Sequence, residues 1–280
     1  DLYQVHYHDP HTPVAEVVDT LEDLKSQGKI RSYGVGHLPL DITRQYLELG
    51  QPQTVLAEMN VAVLDRYLEL HPLQQKYDFG LIAFSVTGRG LLTGSLPSAP
   101  QFENTDIRSL DPLFQREKLA SGLRLAEKLT EAGRKIMATP AQVAIAWVLN
   151  QPGVVAALTG PTDPNHLREN CAALKLELDS SLQQEITDII RRETALRQTL
   201  IKQEVKAIVH RPLSNYEQAT KDILYVLEYC LESGRIPYHT GIELFAELME
   251  IRKSASGLEP LQTLIEKIRA SGDGSDWLIN

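Results

Sequence analysis

Residues 1–36 read DLYQVHYHDPHTPVAEVVDTLEDLKSQGKIRSYGVG and contain the pattern that decides the fold. Two short apolar segments, Leu2–His6 and Ser32–Gly36, have the composition of buried strands. The segment between them is amphipathic with helical spacing: it opens at Thr12-Pro13, with Thr as N-cap, and closes at Gly28. A strand, a helix and a second strand in this order predict a parallel β-α-β unit.

The same alternation continues along the chain and predicts an α/β protein with a parallel sheet and right-handed crossovers. Five strands are visible, whereas a closed (β/α)8 barrel of the TIM type needs eight. Because the first residue is Asp1 and the chain opens inside a strand, we expect an N-terminal portion to be missing or to lie in another chain. The three further predicted strands are Thr54–Met59, Leu81–Ser85 and Val154–Leu158.

Helix starts carry side chains that can accept hydrogen bonds from the first turn. Asp41 is predicted to cap the second helix, which runs to Gly50. Three later helices open at Asp111-Pro112, Thr139-Pro140 and Asp163-Pro164, where Pro suits the first helical position.

After about Thr194 the pattern changes to helices alone. We therefore predict two domains: a partial barrel over residues 1–194 and a small all-α extension over residues 195–280. Two predicted capping boxes open helices in this extension: Ser214 with Glu217, and Thr240 with Glu243.

Composition and charge exclude several classes of protein. With 42% hydrophobic and 23% charged residues among 280, the chain is globular rather than disordered or collagen-like. The net charge of −9 argues against a nucleic-acid surface. The two cysteines, Cys171 and Cys230, form no CxxC pair, which favours a cytoplasmic location without a disulfide framework or a zinc site. No apolar run approaches the ~18 residues of a membrane helix.

Histidines follow the first two predicted strands, where a parallel barrel places its active site. His6 and His8 form an HxH pattern, and His37 follows the next strand. Such a set could bind a metal such as zinc, as in a metal-dependent hydrolase. Against that alternative, no Asp follows the last predicted strand, and we predict no metal.

Five blocks of the sequence, taken in order, resemble the aldo-keto reductases. The resemblance covers roughly residues 1–190 and runs from that family's fourth strand to its last helix. It implies an incomplete TIM-type barrel with about five of its eight β/α units. The blocks are DLYQVHYHDP, GKIRSYGVG, LIAFSVTGRGLLTG, TPAQVAIAWVLNQPGV and the PxxLREN segment at Pro164–Asn170.

The resemblance implies an oxidoreductase that transfers hydride from NADPH or NADH to the carbonyl of an aldehyde or ketone. His6 falls where the family has the catalytic His that orients the carbonyl oxygen. The family's proton donor is a Tyr assisted by Lys and Asp, and these lie on its first three strands, which this sequence lacks. We therefore expect the chain to be inactive by itself.

The cofactor positions implied by the resemblance are partly kept. Phe84 matches the aromatic residue that stacks on the nicotinamide, and Glu169 and Asn170 match the pair that contacts the adenine. Gly160 matches a glycine near the 2′-phosphate. The remaining predicted cofactor positions are Ser85, Thr87 and Arg89 in the pyrophosphate loop, His37 beside the nicotinamide and His166 near the 2′-phosphate.

Several positions depart from the family's pattern. Gly36-His37 replaces its Ser-Asn pair, and Leu56 replaces its Gln. The basic residues with which the family holds the 2′-phosphate are replaced here by Thr162, Asp163 and His166. The carboxylate of Asp163 repels a phosphate. These departures predict weak NADPH binding or a preference for NADH.

The same departures from the family's pattern leave a second function open: a non-catalytic binding or scaffold protein on a reductase-like fold. In either case we expect no nucleic-acid or membrane partner. An open sheet with free edges at Leu2–His6 and Val154–Leu158 predicts association through those edges or through the helical extension.

Overall fold

A computed structural model describes residues 1–254 and 257–271 of the chain. They form two compact units. The first contains Asp1–Ser95 and Leu125–Ile190, and the second contains Leu96–Arg124 and the described residues from Arg191 onward. The connection 96–124 thus packs with the helical region that the sequence predicts for residues 195–280.

The first unit is built on one parallel sheet with strand order β1-β2-β3-β4-β5, the order of the strands along the chain. The predicted parallel α/β architecture is confirmed, and each strand lies within one residue of its predicted bounds. The register runs across the sheet through pairs such as Val35 with Val55 and Ala57 with Ala83. The strands are β1 Leu2–Val5, β2 Ser32–Val35, β3 Thr54–Glu58, β4 Gly80–Phe84 and β5 Val154–Ala157.

The α-helices that begin between residues 10 and 170 follow strands of the sheet. Where the sequence predicts a helix start at Thr139, the structure confirms it: the Thr139 hydroxyl accepts from the Gln142 backbone, and the Gln142 side chain accepts from the Thr139 backbone. The helices are α1 Val14–Ser26, α2 Leu40–Leu49, α3 Asp65–Leu70, α4 Arg116–Lys135, α5 Pro140–Leu149 and α6 Pro164–Ala172.

Three predicted helix starts are wrong in detail. Helix α1 has Pro13 at its N-cap, because the Thr12 hydroxyl donates to Asp9 instead. Pro39 occupies the N-cap of α2, which puts Asp41 inside the first turn. Asp111 caps only a short 3-10 turn at Pro112–Phe114, and the long helix α4 begins after it.

Alternate residues of the sheet face opposite sides. One side, which we call the helix-covered face, is fully buried over β2, β3 and β4; Tyr33 on this face donates its hydroxyl hydrogen to Glu22 of α1 at 2.7 Å. The other side, the open face, is mostly half-buried. Buried residues of the helix-covered face are Tyr33, Val35, Val55, Ala57, Leu81 and Ala83, and the open face carries Gln4, Gly34, Thr54, Leu56, Glu58, Ile82 and Phe84.

Across the open face, the Gln4 amide crosses β2 to reach β3. Its Nε2 donates to Thr54 Oγ1 at 2.9 Å, and Gly34 lies between the two residues. A Cβ at position 34 would lie 2.6 Å from Gln4 Oε1 and 2.7 Å from the Thr54 carbonyl oxygen. The absent side chain of Gly34 therefore allows this bridge over the first three strands.

The second unit has a helical core of its own. Helix α7 crosses the predicted domain boundary at residue 194 without interruption. Its later turns pack with three helices around Val205, Tyr225, Leu248 and Leu264. These helices are α7 Ser180–His210, α8 Tyr216–Glu232, α9 Tyr238–Ser254 and α10 Leu258–Ser271.

Both capping boxes predicted in this region are wrong. Asn215, not Ser214, caps α8 by accepting from the Gln218 backbone. Helix α9 begins at Tyr238, so Thr240 lies within its first turn.

Ion pairs join the connection 96–124 to the helices of this unit. Arg116 contacts the buried carboxylate of Asp222, and Lys118 contacts both Glu228 and Glu232. In the described part of the chain, no helix is both long enough and apolar enough to span a membrane.

We predict that Gly34→Ala destabilises the protein by about 1–3 kcal/mol, because the added methyl must displace Gln4 or the backbone of β3. The free energy of unfolding in urea measures the effect. Gly160→Ala is the matched control, since a Cβ there meets nothing within 4 Å and the variant should unfold like the parent. Equal stability of the two variants would contradict the close approach at position 34.

Candidate active site

The carboxyl ends of the five parallel strands lie together at one end of the sheet, which we call the strand edge. Short backbone hydrogen bonds extend the pairing past the strands at this edge. The Gly36 N–H donates to Val5 O at 2.6 Å, and the Leu158 N–H donates to Ala83 O at 2.7 Å. Segments that follow the strands are thereby held beside one another, and they contain most of the predicted site residues.

The structure brings Phe84 and His37 together at this edge. Their rings meet edge to face with centroids 5.4 Å apart. The Glu58 backbone N–H donates to Nδ1 of His37 at 3.4 Å, which fixes the ring from the side of β3. Two residues that the sequence predicts for nicotinamide contact thus form one aromatic pair.

His37 is neutral at physiological pH. Packing against the surrounding protein lowers the pKa of its imidazole to about 4, and the positive charge of Arg66 on α3 adds to the effect. With Nδ1 accepting from Glu58, the neutral ring carries its proton on Nε2. Part of the side chain remains open to solvent, so this proton can be donated to a ligand.

The absence of a side chain at Gly36 has a steric reason. A Cβ there would collide with the backbone oxygen of His6 and lie 2.8 Å from that of Val5. The chain of β1 approaches β2 too closely for a serine at this position. The departure from the family's Ser-Asn pair is therefore part of how the first two strands pack.

A tight loop follows β4 and has left-handed backbone at two residues with side chains. Ser85 has φ 55° and Arg89 has φ 53°, and Gly88 between them has φ 59°. Such conformations are costly for residues with a Cβ and persist where neighbouring structure holds them. Asn60 holds Ser85 in this conformation: it is fully buried, and its Nδ2 donates to Ser85 O at 3.0 Å.

Arg89 is held by an ion pair. Its guanidinium lies 2.9 Å from the carboxylate of Glu58, and both side chains are largely buried. The Arg89 guanidinium is thus held at the strand edge instead of extending from the loop into solvent. Neither Glu58 nor Asn60 is among the site residues predicted from the sequence, although the Glu58-Met59-Asn60 segment marks the end of a strand.

The predicted adenine side of the site lies at the start of α6. Asp163 caps this helix by accepting from the Asn165 backbone at 2.7 Å. Asn170 donates to Thr159 Oγ1 at 2.7 Å, and the Glu169 carbonyl accepts from Gln142 of α5. These contacts tie α6 to α5 and to the segment that follows β5.

The two other predicted residues of this side, Gly160 and His166, are solvent-exposed. The space around Gly160 is open, so nothing in the fold requires a glycine there. His166 projects from the first turn of α6 without a role in holding the helix.

His6 is exposed at the end of β1, and its ring packs edge to face on that of Tyr7, with centroids 4.2 Å apart. Among residues 1–254 and 257–271, no three His, Cys, Asp or Glu side chains form a cluster that could hold a metal. His6, His8 and His37 are therefore not part of such a cluster.

Comparison with known proteins identifies relatives for this arrangement. The model of the aldo/keto reductase family matches residues 1–191. An NADH-specific methylglyoxal reductase of Escherichia coli is 32% identical over 200 residues, which are 69% of this chain and 60% of the relative. An aldo-keto reductase of Bacillus subtilis is 28% identical over 195 residues, or 68% and 58% of the two chains.

Solved structures agree with the sequence relatives. The glycerol dehydrogenase of Gluconobacter oxydans superposes with a TM-score of 0.62 at 27% identity, covering 69% of this chain and 59% of that one. An aldo-keto reductase of Bacillus halodurans shares the fold with a TM-score of 0.54 at 21% identity, covering 68% and 61%.

The chain spans about three fifths of the length of the curated relatives it matches. The family model is matched from residue 1, and that match does not by itself assign β1 to the family's fourth strand. Because the matched region includes all five strands and the whole strand edge with its Phe84–His37 pair, this chain belongs to the aldo/keto reductase family.

Proposed function

We propose that the strand edge binds a nicotinamide cofactor and that the protein serves the reduction of an aldehyde or ketone carbonyl by hydride transfer. The observation that carries this proposal is the Phe84–His37 pair beside the loop of Ser85–Arg89. An aromatic face, a neutral hydrogen-bond donor and a fixed cation lie together there. This set suits a flat amide-bearing ring joined to a pyrophosphate.

The residues present fit such a cofactor. Phe84 offers its ring to the nicotinamide, while His37 can donate from Nε2 to the carboxamide. Ser85 and Thr87 supply hydroxyls, and Arg89 supplies charge to the pyrophosphate. When bound, the cofactor supplies the hydride; the residues named here bind and orient it.

The adenine side favours NADH over NADPH. Gly160, His166, Glu169 and Asn170 are the proposed contacts, and the Asp163 carboxylate stands at the first turn of α6. This carboxylate would repel the negative charge of the 2′-phosphate that distinguishes NADPH from NADH. The E. coli relative is named as NADH-specific, which supports the same choice.

His6 is proposed to orient the carbonyl oxygen of a small substrate. We further propose that the five β/α units correspond to the family barrel from its fourth strand onward. The proton-donating Tyr, with Lys and Asp, would then belong to units other than these five, and residues 1–280 alone would bind cofactor without turnover. The division at residue 194, with a helical extension at 195–280, and a cytoplasmic location remain predictions.

We predict that NADH binds and that Phe84→Ala weakens it about tenfold, because stacking of aromatic rings contributes about 0.5–1.5 kcal/mol beyond buried area. Titration followed by NADH fluorescence measures the dissociation constant. Phe245→Ala, the same change at an exposed position of α9, is the control. If the parent protein binds neither NADH nor NADPH, the reductase proposal fails and a scaffold role gains support.

For cofactor choice, we expect Asp163→Asn to improve NADPH binding several-fold and to leave NADH binding unchanged. Asn caps a helix about as well as Asp, so only the charge is removed. Asp179→Asn is the matched control, because Asp179 caps α7 through the Leu182 backbone. Equal NADPH affinity of the parent and of D163N would show that the carboxylate has no part in discrimination.

The stability of the protein should depend on pH through His37. The folded protein lowers the pKa of His37 below the value of about 6.5 in an unfolded chain. Between the two values the unfolded chain binds a proton that the folded chain does not, so stability is retained above pH 6.5 and falls as the pH drops toward 4.

The His37→Asn variant should lose less stability than the parent between about pH 7.5 and about pH 5, a range over which one histidine takes up its proton in the unfolded chain. Urea unfolding at the two pH values measures the difference. His239→Asn, at an exposed position of α9, should behave like the parent. An identical pH dependence of H37N and the parent would contradict the lowered pKa of His37.

A further inference from the structure

Helix α4 begins with three consecutive residues that are anchored on α7 and α8. The Arg116 guanidinium contacts the carboxylate of Asp222 on α8. The Glu117 backbone N–H donates to the Glu204 carboxylate of α7 at 3.3 Å. The side chain of Lys118 is buried and contacts two glutamates of α8. Contacts to two helices from three successive residues fix the first turn of α4.

Asp222 is the centre of this attachment. Its side chain is only 2% exposed, and it accepts from Arg116 Nε at 3.1 Å and from Gln218 Nε2 at 2.9 Å. Arg211, the residue after α7, also donates to it. Burying a carboxylate is costly unless it is paired and hydrogen-bonded, so the burial of Asp222 favours keeping these three donors together.

The backbone of Arg116 is in the left-handed region, with φ 47°. A residue with a Cβ adopts this conformation at a cost and keeps it where neighbouring structure holds it. The bonds to Asp222 hold Arg116 in this conformation. Gln115 before it is extended and α4 follows directly, so the left-handed residue sets the direction in which the chain enters the helix.

A later turn of the same helix contacts the end of the loop that follows β4. This loop, residues 85–94, contains the proposed pyrophosphate contacts and ends at Gly94, which has φ 73°. A Cβ at position 94 would lie 3.2 Å from Thr130 Oγ1 of α4 and 3.1 Å from Pro140 Cγ of α5. The backbone of the loop therefore packs closely on α4.

One uninterrupted helix joins these two contacts. Helix α4 runs from Arg116 to Lys135; its residues up to Arg124 group with the helical core, and those from Leu125 group with the sheet. The span from Arg116 to Thr130 is ~21 Å at 1.5 Å per residue. A shift of the first turn along or around the helix axis is thus transmitted to the loop 85–94.

We propose that Arg116 and Asp222 are positioning residues for cofactor binding: by fixing the start of α4, they hold the loop 85–94 in the conformation that receives the pyrophosphate. This inference rests on the proposed function of that loop. Asp222 lies outside residues 1–191, which match the family model, so the helical region contributes to a site whose contacts all lie in the matched part.

Two substitutions of Arg116 separate the role of the backbone from that of the guanidinium. Arg116→Ala and Arg116→Gly both remove the ion pair, and Asp222 keeps Arg211 and Gln218 as partners in either variant. Only glycine adopts a left-handed φ without steric cost. Glycine therefore preserves the entry of the chain into α4 better than alanine. Lys253→Ala, which removes an exposed ion pair within α9, is the control.

Hydrogen exchange of the ligand-free full chain is the first measurement. The reporters are the backbone N–H groups of Gly88, Gly90 and Leu92, which donate within the loop 85–94. We expect Arg116→Ala to speed their exchange about fivefold or more, the lower end of the usual coupling between distant sites. The glycine variant should show a smaller effect and Lys253→Ala none. Unchanged exchange in β3 verifies that each variant keeps its fold.

Titration with NADH, followed by its fluorescence, is the second measurement. Arg116→Ala should weaken binding about fivefold, and Arg116→Gly should recover part of the loss, because its loop is closer to the conformation of the parent. A change in overall stability alone would leave the affinity of the folded protein unaltered.

Unchanged exchange of the loop in Arg116→Ala overturns the inference, whatever the NADH result. So do faster exchange with an unaltered NADH affinity, and alanine and glycine variants that behave alike. If the parent binds neither NADH nor NADPH, the proposed function fails and the positioning of a cofactor fails with it. Faster exchange in Arg116→Ala would then still support the link between Arg116 and the loop, which separates the two failures.

Discussion

Parallel pairing of five strands in chain order is the constraint on which the rest depends. It sends the carboxyl end of each strand to one edge, so residues far apart in sequence become neighbours. His37 follows β2 and Phe84 ends β4, yet their rings meet at 5.4 Å. The candidate site is therefore a consequence of the order and direction in which the strands pair.

Close packing of the first strands explains a departure from the family pattern. Gly34 leaves room for Gln4 to reach Thr54, and Gly36 leaves room for the backbone of β1. Beside Phe84, His37 lies at the position that follows Gly36; its pKa is lowered, and its Nδ1 accepts from the Glu58 backbone N–H. At the other side of the site, Asp163 caps α6 and also places a negative charge at its first turn.

The two units have different sources of stability. In the first, the central strands of the sheet are fully buried on the helix-covered face and only half-buried on the open face. In the second, an apolar core lies within α7–α10, and the connection 96–124 is joined to it by ion pairs such as Arg116 with Asp222. Because the partners of such pairs are about a hundred residues apart, no local pattern reveals that this connection belongs with the helices.

The sequence by itself determined the five strands to within a residue, the helix start at Thr139 and the family, because strand composition, local hydrogen bonding and block order are all written along the chain. It placed the caps at Thr12, Ser214 and Thr240 wrongly, since neighbouring residues compete for the same turn. Only the tertiary structure decided the Glu58–Arg89 pair, the support of Ser85 by Asn60 and the neutral state of His37. Each of these depends on distances between strands, which the order of residues does not specify.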